Sequence, residues 1–194
     1  MSKLTREDLM SLEQYAENRK TFRDKVIAHK KNRQLSITPH ATLYFEDRLT
    51  MQYQVQEMLR VERIFEADGI QEELDAYNPL IPDGSNWKAT FMIEYDDEQE
   101  RKKALAELVG VEDKVWMQVA DFDRVWAIAD EDLERETEEK TSSVHFLRFE
   151  LDKEMAAAVK NGAAINAGID HDKLRESVAP VPQNIRDSLA EDLQ

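Results

Sequence analysis

The chain has no cysteine, few glycines and no long apolar run. Without cysteine, this chain forms no disulfide, thiolate nucleophile or cysteine-ligated zinc site, and it cannot hold an iron–sulfur cluster by itself. The five glycines are too scattered for a Gly-x-Gly-x-x-Gly, Walker or Gly-x-Ser-x-Gly motif, which removes the usual support for glycine-loop nucleotide binding and for serine hydrolase chemistry. No run of about twenty apolar residues is present to span a bilayer.

Positive charge is also scarce. The 194 residues hold 26 Lys and Arg against 41 Asp and Glu, which gives a net charge of −15 and a pI near 4.7. This balance disfavours binding to nucleic acid backbones and to anionic membranes. Residues 1–33 are charged throughout and contain no apolar stretch typical of a secretion signal, so we expect a cytoplasmic protein.

Hydrophobic periodicity predicts an α+β fold, with a largely antiparallel sheet, helices packed on one face and a helical N-terminal third. The predicted helices span about 5–15, 19–33, 49–66, 70–77, 98–109 and 152–160. The predicted strands span 35–45 (a strand or hairpin broken at Pro39), 89–95, 115–119, 124–129, 143–151 and 163–169. We expect one domain over 1–180, with a possible subdomain break near 78–87, and a C-terminal tail over 181–194.

The central helix, Leu49 to Glu66, carries carboxylates among apolar residues. Glu57 lies on an apolar arc, and Glu62 lies beside a second apolar pair. A buried carboxylate must be paired, protonated or bound to a cation. Arg60 is three residues from Glu57, so the pattern leaves two interpretations: a Glu–Arg network, or a metal or acid–base site.

Histidines on predicted strands supply further candidate ligands. His145 shares an apolar strand face with Leu147 and Phe149, where a hydrogen-bonded core histidine and a metal ligand are both possible. If His145 lay opposite Glu57, the pair would suit iron, manganese or zinc. The candidate metal ligands are therefore Glu57, His145, Glu62 and His40.

Two further segments are ambiguous or weakly marked. Residues 130–140 form a dense charge run, which predicts either a solvated helical excursion or a long loop. Asp170 before His171 is typical of a helix start.

Several strings resemble a bacterial family of uncharacterised proteins, the domain-of-unknown-function family numbered 3501. The strings are Tyr53–Met58, Glu72–Gly84, Asp130–Glu136 and Ser143–Leu151. The resemblance implies genes near those for rubrerythrin-like proteins and iron–sulfur oxidoreductases, and hence iron, redox or peroxide-stress work. It supplies no catalytic residues.

Two functions follow as hypotheses. The first is an accessory or binding protein of a cytoplasmic iron- or redox-related pathway, docking on an oxidoreductase or rubrerythrin-like partner. The alternative is a metal-dependent redox or hydrolytic enzyme with a buried Glu/His site. The sequence leaves open whether the chain is an enzyme, and its predicted strand edges would permit an oligomer.

Overall fold

A computed structural model describes residues 2–194 and contains mixed helices and antiparallel sheets. The helices are α1 (Leu12–Lys30), α2 (Arg48–Glu62), α3 (Ala67–Tyr77), α4 (Glu98–Glu107), α5 (Lys153–Lys160) and α6 (Gln183–Ala190). The strands are β1 (Gln34–Thr38), β2 (Ala41–Glu46), β3 (Asn86–Ile93), β4 (Val115–Val119), β5 (Val125–Trp126), β6 (Ile128–Ala129), β7 (Val144–Glu150), β8 (Ile165–His171) and β9 (Leu174–Val178). Short 3-10 turns lie at Arg6–Asp8, Asn78–Leu80 and Val111–Lys114. Within 2–194, no helix has the length and apolarity that a membrane span requires.

The strands divide into two antiparallel sheets. The first sheet has the order β1-β2-β3-β7-β6, and the second has the order β5-β4-β8-β9. This confirms the predicted α+β class and antiparallel pairing. The predicted strand 124–129 is in fact two short strands, because β5 pairs with β4 while β6 crosses to pair with β7.

The main core lies between the two sheets. Alternate residues of β2, β3 and β7, such as Phe45, Phe91 and Leu147, pack with Met117 and Ile165 of the second sheet. Because side chains alternate along a strand, the intervening residues face the opposite way, toward α1, α2 and α3. The first sheet is therefore covered by helices on one side and by the second sheet on the other.

Helix α1 is continuous where the sequence predicted two helices. It begins at a capping box in which Ser11 Oγ accepts the Gln14 amide and Gln14 Oε1 accepts the Ser11 amide. The prediction of a first helix from Thr5 was wrong, since only the 3-10 turn Arg6–Asp8 forms there.

Helix α2 buries a different face from the predicted arc. Val61 lies on the side of α2 opposite the face that packs, and it is 66 % exposed. Arg63 adopts a left-handed conformation (φ 56°) and ends the helix, and Phe65 beyond it is also 66 % exposed. The buried face instead carries Met51, Val55 and Leu59, which belong to a second, smaller hydrophobic cluster with Leu4, Leu74 and Ile81.

The last quarter of the chain contains one difference from the predicted elements, and it ends in a helix. His171 ends strand β8, so the predicted helix start at Asp170 was wrong. Residues 181–194 contain α6, whose Leu189 is fully buried in the main core and whose Leu189 carbonyl accepts the Trp87 indole N–H at 2.9 Å.

Candidate metal centre

His145 lies at the interface between the sheets and is completely buried. On β7 it lies directly opposite Phe91 of β3, whose side chain belongs to the core between the sheets. The His145 ring therefore points away from the helices. Its Nδ1 lies 2.6 Å from Asp130 Oδ2. Its Nε2 faces three oxygens: Thr141 Oγ1 at 2.9 Å, the Ser142 carbonyl at 3.0 Å and Glu112 Oε2 at 3.7 Å.

Asp130 is held under the imidazole by a left-handed backbone conformation (φ 51°), which is uncommon outside glycine. Its Oδ1 accepts the Phe146 amide at 2.9 Å and the Arg135 guanidinium at 3.0 Å. Such backbone strain persists where the surroundings fix it and often accompanies a functional site. Here it orients one carboxylate toward His145.

Glu112 enters from the 3-10 turn that follows Gly110, whose φ of +79° suits glycine. Its Oε2 accepts the Thr141 hydroxyl at 3.1 Å. Burial raises the pKa of Glu112, and the neighbouring Glu136 carboxyl raises it further, while the charge of His145 acts in the opposite direction. Glu112 is therefore a carboxyl group that gains from a nearby cation.

Glu112, Asp130 and His145 each have a potential ligand atom, and these atoms lie within 4.8 Å of one another. Among residues 2–194, this is the one such group of His, Asp and Glu side chains. At metal–ligand distances of about 2.1 Å, neighbouring ligand atoms lie about 3.0–3.4 Å apart. The oxygens around His145 Nε2 are 2.9–3.7 Å from it, which is close to this spacing. The Ser142 carbonyl can only accept, so Nε2–H is the donor here and a bound cation would take the place of that proton. Asp130 would then hold the other ring N–H, the usual outer-shell partner of a ligating histidine.

The same contacts resemble a nucleophile triad, with Thr141, His145 and Asp130 in a row. The resemblance does not extend to access, because Thr141 is 2 % exposed and its hydroxyl donates to Glu112. A substrate cannot reach a nucleophile that is closed on all sides. The arrangement is suited to holding a proton or a cation rather than to acyl transfer.

Glu57 lies elsewhere, on the helical side of the first sheet. Arg19 binds both carboxylate oxygens at 2.8 and 3.0 Å, and Tyr15 donates its hydroxyl at 2.6 Å. The Arg19 guanidinium lowers the pKa of Glu57, although partial burial opposes that shift. This is the Glu–Arg network that the sequence left open, with Arg19 in the place proposed for Arg60.

The other two candidates are also separate from His145. Glu62 is exposed at the end of α2. His40 is exposed in the β1–β2 turn, where its ring stacks on Tyr95 with centroids 4.0 Å apart and Nδ1 lies 2.8 Å from the Glu94 carbonyl. Of the four predicted ligands, the structure brings only His145 into the cluster, and the ligand role of each of the four stays a prediction.

Sequence reasoning missed Glu112 and Asp130. Both lie far from His145 in the chain, and neither sits on an apolar periodic face. The charge run 130–140, which begins at Asp130, was the one sequence feature that pointed to this region. In the structure it is a loop, in which Arg135 contacts Asp130 and Glu136 accepts the Gly110 amide beside Glu112.

The fold and this cluster define an acidic α+β protein with a buried His–carboxylate centre. The chain belongs to the family described as "Protein of unknown function (DUF3501)", whose model matches residues 3–193. It is similar to a protein of unknown function from Burkholderia pseudomallei K96243, known from a crystal structure. The two share 54 % sequence identity and a TM-score of 0.94, with 100 % of each chain covered. Among curated proteins, none matches the chain.

Proposed function

We propose that the protein is an accessory protein that holds one divalent transition metal ion between its two sheets. The observation that carries the proposal is the buried His145, whose Nδ1 is fixed by Asp130 while its Nε2 faces Glu112 and two further oxygens. In this proposal His145 Nε2 and Glu112 Oε2 are the ligands, and Thr141 Oγ1 and the Ser142 carbonyl complete the site.

The chemistry of the donor set supports iron(II), manganese(II) or zinc. One imidazole nitrogen with carboxylate, hydroxyl and carbonyl oxygens is a ligand set of intermediate hardness. The family that the sequence resembles is associated with genes for rubrerythrin-like proteins, and this association favours iron among the three. We therefore propose a role in an iron- or redox-related pathway of the cytoplasm.

Burial supports an accessory role over an enzyme. His145, Thr141 and Glu112 are 0, 2 and 4 % exposed, whereas a catalytic metal keeps an open position for substrate. The metal-dependent redox or hydrolytic enzyme therefore remains the weaker candidate.

Calorimetric titration of metal-free protein with Mn²⁺, Zn²⁺ and, without oxygen, Fe²⁺ tests the proposal. We expect one ion bound per chain in the wild type. Glu112→Gln removes a ligand charge, and we expect it to weaken binding by at least tenfold. Asp130→Asn removes the negative charge from the acceptor of the Nδ1–H, and losses of roughly 10–100-fold are typical of such outer-shell changes.

Glu57→Gln is the matched control, because it also neutralises a partly buried, hydrogen-bonded glutamate but lies on the far side of the first sheet. We expect it to bind metal like the wild type. Equal binding by wild type and Glu112→Gln would contradict the proposed site.

Two exposed apolar side chains favour a protein partner. Val61 and Phe65 are both 66 % exposed at the end of α2, where a docking protein could cover them. The test is binding of a purified rubrerythrin-like protein, measured by biolayer interferometry. We expect Val61→Ser with Phe65→Ser to weaken it, while Leu133→Ser, another exposed apolar site, does not. Binding that ignores the double substitution would contradict this surface.

A further inference from the structure

A cavity of about 480 Å³ lies on the helical side of the first sheet, away from the metal centre. Pockets for small ligands typically have volumes of this order, with mainly apolar walls and a few placed polar groups. The apolar wall here comes from both the sheet and the helical layer, through Met51, Leu80, Met92, Val144 and Phe146.

One carboxylate stands out among the polar groups that line the cavity. Glu46 is 9 % exposed, and its two oxygens accept the hydroxyls of Thr50 at 2.6 Å and Thr90 at 2.8 Å. Each carboxylate oxygen has two acceptor positions, so acceptor capacity remains beyond these two bonds. Over residues 2–194, Glu46 forms no ion pair with lysine, arginine or histidine, which is an unusual state for a buried carboxylate.

The nearby cations are turned to other partners. Arg33 lines the cavity, but its guanidinium donates to the carbonyls of Phe45 and Glu46 and forms an ion pair with Asp192 at 2.6 Å. Lys88 of β3 lies opposite Glu46 of β2 in the strand register, but its ammonium donates a hydrogen bond to the Pro79 carbonyl. Lys30 also lines the cavity, and its ammonium lies over the Tyr53 ring, 5.7 Å from the ring centroid. None of these three cations forms an ion pair with Glu46, so its carboxylate is left to bind a cation from outside.

We propose that this cavity binds a small organic amine with an apolar body. The ammonium would bind Glu46, and the apolar body would lie against Met92, Val144 and Phe146. A charge-assisted hydrogen bond in an enclosed site is stronger than a neutral one, so charge should decide among ligands of one shape. The net charge of −15 favours cationic ligands over anionic ones. This site is independent of the metal centre, because Val144 and Phe146 lie on the opposite face of β7 from His145.

Three probes of one shape test the proposal by calorimetry: 2-phenylethylamine, 2-phenylethanol and 3-phenylpropionate. We expect the amine to bind at least tenfold more tightly than the alcohol, and the carboxylate to bind weakest. Glu46→Gln should weaken amine binding by at least tenfold, while Glu98→Gln, which neutralises an exposed carboxylate on α4, should leave it unchanged.

Val144→Phe is the second variant, because it narrows the cavity without changing Glu46 and so keeps the test decisive if Glu46→Gln does not fold. We expect it to weaken binding of the amine and the alcohol alike. The proposal is overturned if the wild type binds no amine, if it binds the alcohol as tightly, or if the amine binds Glu46→Gln or Val144→Phe as it binds the wild type.

Discussion

Asp192 is a carboxylate that ionises at a cost in the folded protein. Burial raises its pKa to about 6, although the Arg33 guanidinium 2.6 Å away opposes the shift. Its reference pKa is 3.8, so between pH 3.8 and about 6 the folded state binds more protons at this site than the unfolded state. The contribution of Asp192 to the free energy of unfolding therefore falls as pH rises through this window.

Asp192→Asn should remove that pH dependence. The difference between 3.8 and about 6 in the pKa of Asp192 corresponds to roughly 3 kcal/mol of free energy of unfolding between acid and neutral pH. Urea unfolding from pH 4 to pH 7 measures it, with the exposed neighbour Glu191→Gln as control. We expect a flatter profile for Asp192→Asn alone, and identical slopes in all three proteins would contradict this assignment.

At the proposed metal site, Glu112 should make metal affinity rise with pH, whereas the contribution of Asp192 to stability falls with pH. Burial raises the pKa of Glu112, so a cation that binds below that pKa must displace a proton from its carboxyl group. We expect the dissociation constant for Mn²⁺ to fall with rising pH, by up to about tenfold per unit below that pKa. Calorimetry in two buffers of different ionisation enthalpy would detect the released proton. A dissociation constant that stays constant from pH 8 down to the lowest pH at which the protein is folded would contradict a role for Glu112 as ligand.

Strand β8 depends on a glycine at one position. Trp116 of β4 pairs with Gly168, and a Cβ atom there would lie 2.5 Å from Trp116 Cζ2 and 2.7 Å from the Glu176 carbonyl. Both neighbours are on paired strands, so neither can move freely. The glycine is therefore required by the packing of the indole on the strand.

Gly168→Ala should lower the free energy of unfolding by about 1–3 kcal/mol, the usual cost of overpacking. Asn166→Ala is the control, because Asn166 lies two residues earlier on β8 and already has a Cβ atom. Urea denaturation measures both. Equal stability of Gly168→Ala and Asn166→Ala would contradict the close contact.

The sequence predicted helices and strands well where short-range hydrophobic periodicity and capping residues determine them. The hairpin broken at Pro39, the strand that contains His145 and the helices α3, α4 and α5 follow from hydrophobic periodicity and from helix-capping residues. The buried face of α2 was not predictable from periodicity, because it is decided by contacts of Met51, Val55 and Leu59 with residues distant in the chain. His145 was identified from its apolar strand face, whereas Asp130 and Glu112 reach it only through pairing of β6 with β7 and the turn after Gly110.

At the scale of the whole molecule, the proposed metal centre and the proposed amine cavity lie on the two faces of one sheet. The metal centre joins β7, the 3-10 turn at Val111–Lys114 and the loop 130–140, so an ion there would tie three segments distant in sequence. A ligand that binds only the folded state raises the free energy of unfolding, by about 2.7 kcal/mol at a free concentration one hundred times its dissociation constant.

Metal at that concentration should therefore stabilise the wild type by this amount, and a chelator should reverse the effect. Urea unfolding with and without Mn²⁺ measures it, and Glu57→Gln should respond as the wild type does. If Glu112→Gln were stabilised as much as the wild type, the ion would be acting somewhere else.

The most direct measurement is the metal content of untagged protein, purified from cells grown with iron, manganese and zinc and analysed by plasma mass spectrometry. The account predicts about one ion per chain in the wild type and in Glu57→Gln, and a large loss in Glu112→Gln. A wild-type protein without metal, or a Glu112→Gln variant that retains it in full, would contradict the assignment of the His145 cluster as a metal centre.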